Sequence, residues 1–114
     1  MIALNRTTNI RFGKVKKADS FMARFVGLIG ADPQKTDHGL FLTPCNSIHT
    51  LGMAGAIDAI FLSKELKVLR VARGIRPFSI GPVCAKAHCV LEGFSRAWKS
   101  LHVSEGDQFE FEDE

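Results

Sequence analysis

Tyrosine is absent from this 114-residue chain and tryptophan occurs once, at Trp98, so nine phenylalanines supply nearly all the aromatic content. Phenyl rings fill cores but lack the polar handle that suits tyrosine and tryptophan to half-wet binding surfaces. Cysteine is also scarce: Cys45, Cys84 and Cys89 make an odd set, which argues against a disulfide framework and for reduced thiols. The opening MIALNRTTNIRFGK has no charged stretch followed by an apolar segment of signal-peptide length, so a cytoplasmic location is expected. No apolar run approaches the roughly 18–20 residues of a membrane span. Neither a Walker spacing nor a dinucleotide-binding glycine triplet is present, so no nucleotide is implied and no cofactor is expected. Without repeats, low-complexity tracts or a linker, and at a length typical of one core, residues 1–114 are expected to form one domain.

What is present is sorted along the chain. The first 17 residues carry Arg6, Arg11, Lys14, Lys16 and Lys17 without an acid, whereas residues 105–114 carry Glu105, Asp107, Glu110, Glu112, Asp113 and Glu114 without a base. If both termini form strands of one sheet, these charges favour their pairing, at about 0.2–1 kcal/mol per cross-strand pair. The competing reading is a weak nucleic-acid arm at the basic N-terminus, although the net charge of +3 demands no anionic partner.

Periodicity predicts a mainly β protein. Residues 10–15 read as a strand with a bulge at Gly13, and residues 40–42, 57–62, 68–71, 87–92 and 108–112 read as further strands. Residues 76–82, bracketed by Arg76-Pro77 and Gly81-Pro82, cannot form a central strand because proline withholds a ladder donor. Asp19-Ser20 followed by Phe21, Met22, Phe25, Leu28 and Ile29 predicts a helix ending at Gly30, and Phe94, Ala97, Trp98 and Leu101 predict a second over 94–101. Short strands with two short helices predict a jelly-roll-like β-sandwich or a partly closed barrel.

The densest chemistry lies at Pro44-Cys45-Asn-Ser-Ile-His49-Thr50-Leu-Gly-Met53, followed by Asp58 in an apolar strand. Cys45-x-x-x-His49 is echoed by Cys84-x-x-x-His88-Cys89, so Cys45, His49, Cys84, His88 and Cys89 are conceivable soft-metal ligands; neither spacing is a recognised zinc pattern, and plain packing of these side chains is favoured. Cys45 with His49 as its base is the nucleophilic alternative. Asp58 and Glu92 each interrupt an apolar strand, where an unpaired charge is expensive. The structural reading pairs Asp58 with Arg24, Arg70, Arg73 or Arg76; the functional one makes Asp58 or Glu92 a general acid or base.

The string Arg24-Phe-Val-Gly27-Leu28-Ile, then Gly39-Leu40-x-Leu42-x-Pro44-Cys45-x-x-Ile48-His49-Thr50-x-Gly52-Met53, then Ile57-Asp58-x-x-Phe61-Leu62, resembles the bacterial and archaeal domain-of-unknown-function family 192. The resemblance continues through Val90-Leu91-Glu92 and Gly106-Asp107, covering about residues 10–112. It implies a small β-rich, jelly-roll-like sandwich and implies no reaction. Ala54-Gly55-Ala56 departs from the family's bulky, often basic stretch ending in proline, and Gly93-Phe94-Ser95-Arg96 departs from its usual small loop.

These observations lead to a noncatalytic cytoplasmic binding or assembly module, with its polar cluster and expected contact face at residues 44–58. Its ligand-binding candidates are Cys45, His49, Thr50, Met53, Asp58 and Glu92, and its partner is a protein, a small ligand or a second copy. A small hydrolase-like or metal-dependent ligand-binding protein using Cys45, His49 and Asp58 is the alternative, with nucleic-acid binding through residues 6–17 third.

Overall fold

The computed structural model describes residues 1–20 and 28–114. Most of the helix expected before Gly30 lies outside the described residues. In chain order the strands are β1 (Ile2–Asn5), β2 (Ile10–Ala18), β3 (Gly39–Leu42), β4 (Ser47–His49), β5 (Ile57–Leu62), β6 (Val68–Ile75), β7 (Ile80–Val83), β8 (Cys89–Phe94) and β9 (Phe109–Glu112). The expected second helix is a single turn, α1 (Ser95–Trp98), between β8 and β9.

Seven strands form one sheet in the order β6-β5-β8-β3-β2-β1-β9, antiparallel throughout except for the parallel β2–β3 pair. Its outer strands approach each other at one end. Lys67 bridges to Gln108, Val68 N–H donates to the Asp107 carbonyl at 2.8 Å, and Phe109 N–H donates to the Leu66 carbonyl at 2.9 Å. The sheet is thus a partly closed barrel. β4 and β7 form a separate two-stranded ribbon, with cis prolines at Pro44 before β4 and at Pro82 within β7.

The sorted terminal charges meet as their pattern predicted. β1 pairs antiparallel with β9, Ile2 opposite Glu112 and Leu4 opposite Glu110. Arg6 reaches Glu110 at 3.0 Å, Arg11 reaches Glu112 at 2.8 Å, and Glu114 receives the N-terminal ammonium at 3.2 Å and Lys14 at 3.7 Å. Each such exposed pair contributes little, about 0–1 kcal/mol, but together they favour this register over alternatives. β1 itself went unread in the sequence, because Ile2-Ala-Leu-Asn is too short and too weakly alternating to announce a strand.

Buried side chains form two layers. Inside the barrel lie Phe12, Val15, Ile60, Leu62, Val68, Leu91, Trp98 and Phe109; on the other face of the sheet, next to the ribbon, lie Leu40, Leu42, Ile48, Met53, Ile57, Phe61, Val90 and Phe94. β5 and β8 are buried on both faces, which is why each reads as a nearly continuous apolar run.

Trp98 fixes the inner layer. Phe12 meets it edge-on at 5.3 Å between ring centroids, and its indole lies against the backbone of Gly39 and Gly93. A Cβ on Gly93 would stand 2.6 Å from Trp98 Cε2, and one on Gly39 would stand 2.6 Å from Trp98 Cζ2. Both glycines are therefore required by space. Gly93→Ala is expected to lose about 3 kcal/mol through overpacking, read by urea unfolding with the fluorescence of the single tryptophan. A change under about 0.5 kcal/mol, the size of an ordinary surface substitution, would show that the indole does not pack here.

Candidate functional site

Asp58 sits in β5 with 3% of its surface exposed, on the barrel-facing side. Its carboxylate is fully employed. One oxygen accepts from Arg73 at 2.9 Å; the other accepts from Gly74 N–H at 2.9 Å and the Ser95 hydroxyl at 2.6 Å. The same guanidinium donates to the Trp98 carbonyl at 3.0 Å and to the Leu101 carbonyl. Asp58 and Arg73 therefore tie β5 and β6 to the turn after α1, satisfying carbonyls that a helix end leaves open. Of the four arginines open on sequence grounds, tertiary packing selects Arg73.

Glu92 points the other way. It stands opposite Ala59 of β5 and Leu40 of β3, and alternation along β8 puts it on the face of Val90 and Phe94. It is 2% exposed, and burial pushes its carboxyl up to about 7. The two carboxylates thus occupy opposite faces of one sheet.

Thr50 and Met53 belong to the turn that anchors the ribbon. Thr50 is fully buried; its hydroxyl donates to the Arg76 carbonyl at 2.6 Å and accepts from Ser79 N–H at 2.8 Å. Its backbone completes the clamp, with Thr50 N–H donating to Ser79 and Phe78 N–H donating to Thr50. Met53 fills the outer core layer. His49 lies on β4 opposite Ile80 of β7.

Cys45 lies at the far end of the ribbon. With Pro44, Asn46, Ala87 and His88 it lines an open depression of about 240 Å³. Its N–H donates to the His88 carbonyl at 2.8 Å, which brings it beside Cys89; Cys89 pairs with Leu62, four residues along β5 from Asp58, or about 13 Å. Cys84 is attached to the same region through its N–H, which donates to the Asn46 carbonyl at 2.8 Å. Among the described residues no three His, Cys, Asp or Glu side chains gather as a metal would require. The candidates therefore divide into cysteines held by backbone hydrogen bonds near the far end of the ribbon, a ribbon anchor and two carboxylates on opposite faces.

Sequence reasoning missed the most exposed apolar surface. Phe78, Ile80 and Val83 are 75%, 85% and 58% exposed along β7 and the turn before it, and Leu51 lies across from them on the turn after β4. The available signal was an apolar alternation inside a Pro/Gly-bracketed segment, which cannot be buried as a central strand. Ala54-Gly55-Ala56 also acquires a reason: a Cβ on Gly55 would stand 2.7 Å from Pro33, so this turn must be small for the 31–33 loop to pack.

Fold and sites together define a small, partly closed β-barrel carrying an exposed two-stranded ribbon. The chain belongs to the DUF192 family, described as "Uncharacterized ACR", whose model matches residues 2–111. It is 30% identical over 114 residues to a UPF0127 protein of Pyrococcus horikoshii, covering 95% of this chain and 96% of that one. A solved structure of a Novosphingobium aromaticivorans protein of unknown function matches 96% of this chain and 83% of that one, with a TM-score of 0.81 at 18% identity. A Sinorhizobium meliloti protein, provisionally described as a transcription regulator, matches 96% of this chain and 89% of that one, with a TM-score of 0.79 at 19% identity. At such identities the two structures establish the shared fold. No helix among the described residues is long and apolar enough to cross a membrane.

Proposed function

We propose that this protein is a noncatalytic, cytoplasmic binding module whose docking face is the β4–β7 ribbon, and that it takes an acidic, apolar segment of another protein. The observation that carries the reading is the exposure of Phe78, Ile80 and Val83 within one six-residue segment, 75%, 85% and 58% of their surfaces. Large apolar side chains concentrated in one exposed segment mark an interaction surface.

Charge supports the chemistry of the partner. Residues 66–91 contain Lys67, Arg70, Arg73, Arg76 and Lys86 and no acid. Arg73 is engaged with Asp58 and Arg70 donates to the Val83 carbonyl at 3.0 Å, leaving exposed Arg76 and Lys86 as a positive rim. Asn46, Ser47 and His49 add directional hydrogen-bonding groups beside the apolar surface, which a polypeptide uses and a lipid surface does not need. The N-terminal bases support no competing nucleic-acid surface of comparable quality, since Arg6, Arg11 and Lys14 are paired with the C-terminal acids.

A photoreactive phenylalanine analogue in place of Ile80 is expected to crosslink, in cells, to a discrete protein through an acidic segment. Arg76→Glu with Lys86→Glu should lower that yield about tenfold, because rim charges govern encounter. Crosslinking solely to a second copy or to lipid, or a yield indifferent to the charge reversal, would overturn the proposal.

A further inference from the structure

We propose that Cys45 and Cys89 form a reversible dithiol–disulfide pair, oxidised by hydroperoxides that enter through the depression beside the ribbon. The inference stands on the placement of the two thiols and is independent of what docks on the ribbon. The Cys45 N–H to His88 carbonyl bond, at 2.8 Å, sets Cys89 one peptide unit from the contact. Standard peptide dimensions then hold the two Cα atoms to no more than about 7 Å, the outer limit that a disulfide bridges. Nearness is felt electrostatically as well. The Cys89 thiol is pushed up to about 11, first by burial and then by neighbouring Cys45.

Exposure assigns the two roles. Cys45 is half-buried and lines the open depression with Pro44, Asn46, Ala87 and His88, so a small peroxide reaches its sulfur first. Cys89 is buried, where a peroxide has little access but a modified Cys45 is adjacent. In the reduced state each S–H is turned toward backbone: Cys45 Sγ donates to the Ser47 carbonyl at 2.9 Å, and Cys89 Sγ faces the Ser63 carbonyl at 3.7 Å. Thiols are weak donors, so little is lost when these contacts break.

The chemistry balances in two steps. Cys45 sulfur attacks the peroxide, the O–O bond breaks, and Cys45 becomes a sulfenic acid while the alcohol, or water from hydrogen peroxide itself, leaves with the thiol proton. Cys89 sulfur then displaces the hydroxyl of the sulfenic acid, which leaves as water with the Cys89 proton, and the S–S bond forms. The two thiols lose two electrons and two protons, and the peroxide gains them. A high thiol pKa slows the second step in free solution, but fixed proximity offsets this because the reaction is intramolecular. Reduction by a small dithiol reverses the process.

The test uses the whole protein treated with stoichiometric hydrogen peroxide, followed by alkylation and peptide mapping. The expected product is a Cys45–Cys89 disulfide, with the mass lower by two hydrogens, abolished by dithiothreitol and unchanged in yield in Cys84→Ser. In Cys89→Ala, oxidation should stop at a Cys45 sulfenic acid that dimedone traps. Because removal of a buried thiol can impair folding, the wild-type peptide map is decisive by itself. A Cys45–Cys84 bond, an intermolecular disulfide, or a Cys45 sulfinic acid without any disulfide would each overturn the proposal.

Discussion

Arg73→Met is expected to lower folding stability by about 3 kcal/mol at neutral pH, the largest single loss foreseen for an exposed-to-partly-exposed position. Removing one partner of a buried ion pair typically costs about 3–5 kcal/mol because the other charge remains uncompensated. Here the low end applies. The arginine side chain is one-third exposed, and the Asp58 carboxylate keeps Gly74 N–H and the Ser95 hydroxyl when the guanidinium is gone. The carbonyls of Trp98 and Leu101 lose their charged donor in the same step. Asp58→Asn, which preserves shape and an acceptor, should cost less, and adding it to Arg73→Met should recover part of the loss because the bare charge is then removed. Urea unfolding of the two single variants and the double variant measures this coupling. Losses that simply add would show that the two groups do not act as a pair.

The second large effect belongs to Glu92 and depends on pH. Burial raises its folded-state carboxyl from 4.5 to about 7, so the folded protein holds this proton across a range in which the unfolded chain has released it. Fewer protons on the unfolded state mean that stability falls as pH rises. The loss begins near 4.5, is complete above about 7, and amounts to roughly 3 kcal/mol at about 1.4 kcal/mol per pKa unit. Glu92→Gln keeps the size of the protonated acid and never ionises. Its stability relative to the parent should therefore rise across that window and exceed it by about 2–3 kcal/mol at pH 8. Unfolding titrations at pH 5 and pH 8 read the difference, and an equal effect at both pH values would contradict a titrating Glu92. That the parent retains a carboxyl at such a cost makes position 92 a place to look for a loss of stability as pH rises through about 7.

These two carboxylates show how far the candidate site was legible. Each was conspicuous as a charge inside an apolar strand, and each is buried. Their separation was not legible, because adjacent positions on a β-strand face opposite ways, and only the register of β5 against β8 places Asp58 beside Gly93 and Glu92 beside Ala59. Likewise, four arginines were available to Asp58 on sequence grounds. The choice of Arg73 follows from the β5–β6 register, in which bulges shift the pairing so that Ile57 meets Ile75 and Ala59 meets Ala72. Cys45 and His49 lie four positions apart, which on a regular strand gives one face; the ribbon begins only at Ser47, and its register is irregular between Ser47 and His49, so that alternation does not apply.

The exposed ribbon illustrates the opposite failure. Phe78, Ile80 and Val83 have the composition of core residues, and nothing local distinguishes an apolar residue that finds a partner surface within its own chain from one that does not. The Pro/Gly bracket excluded a central strand, but whether the segment folds inward or lies outside depends on how Thr50 grips Arg76 and Ser79 from a turn well before it in sequence.

By itself the sequence determined the class of fold, most strand positions, the complementary ends of the chain and membership of its family, because periodicity, proline chemistry and charge sorting are local properties that any β-rich arrangement must respect. The tertiary structure alone decided which groups meet: Arg73 with Asp58, the Cys45 N–H with the His88 carbonyl, Trp98 with two glycines, and the apolar residues of β7 with solvent. Contacts between residues far apart in sequence depend on strand order and register, and a shift of one residue, invisible in composition, exchanges the two faces of a strand.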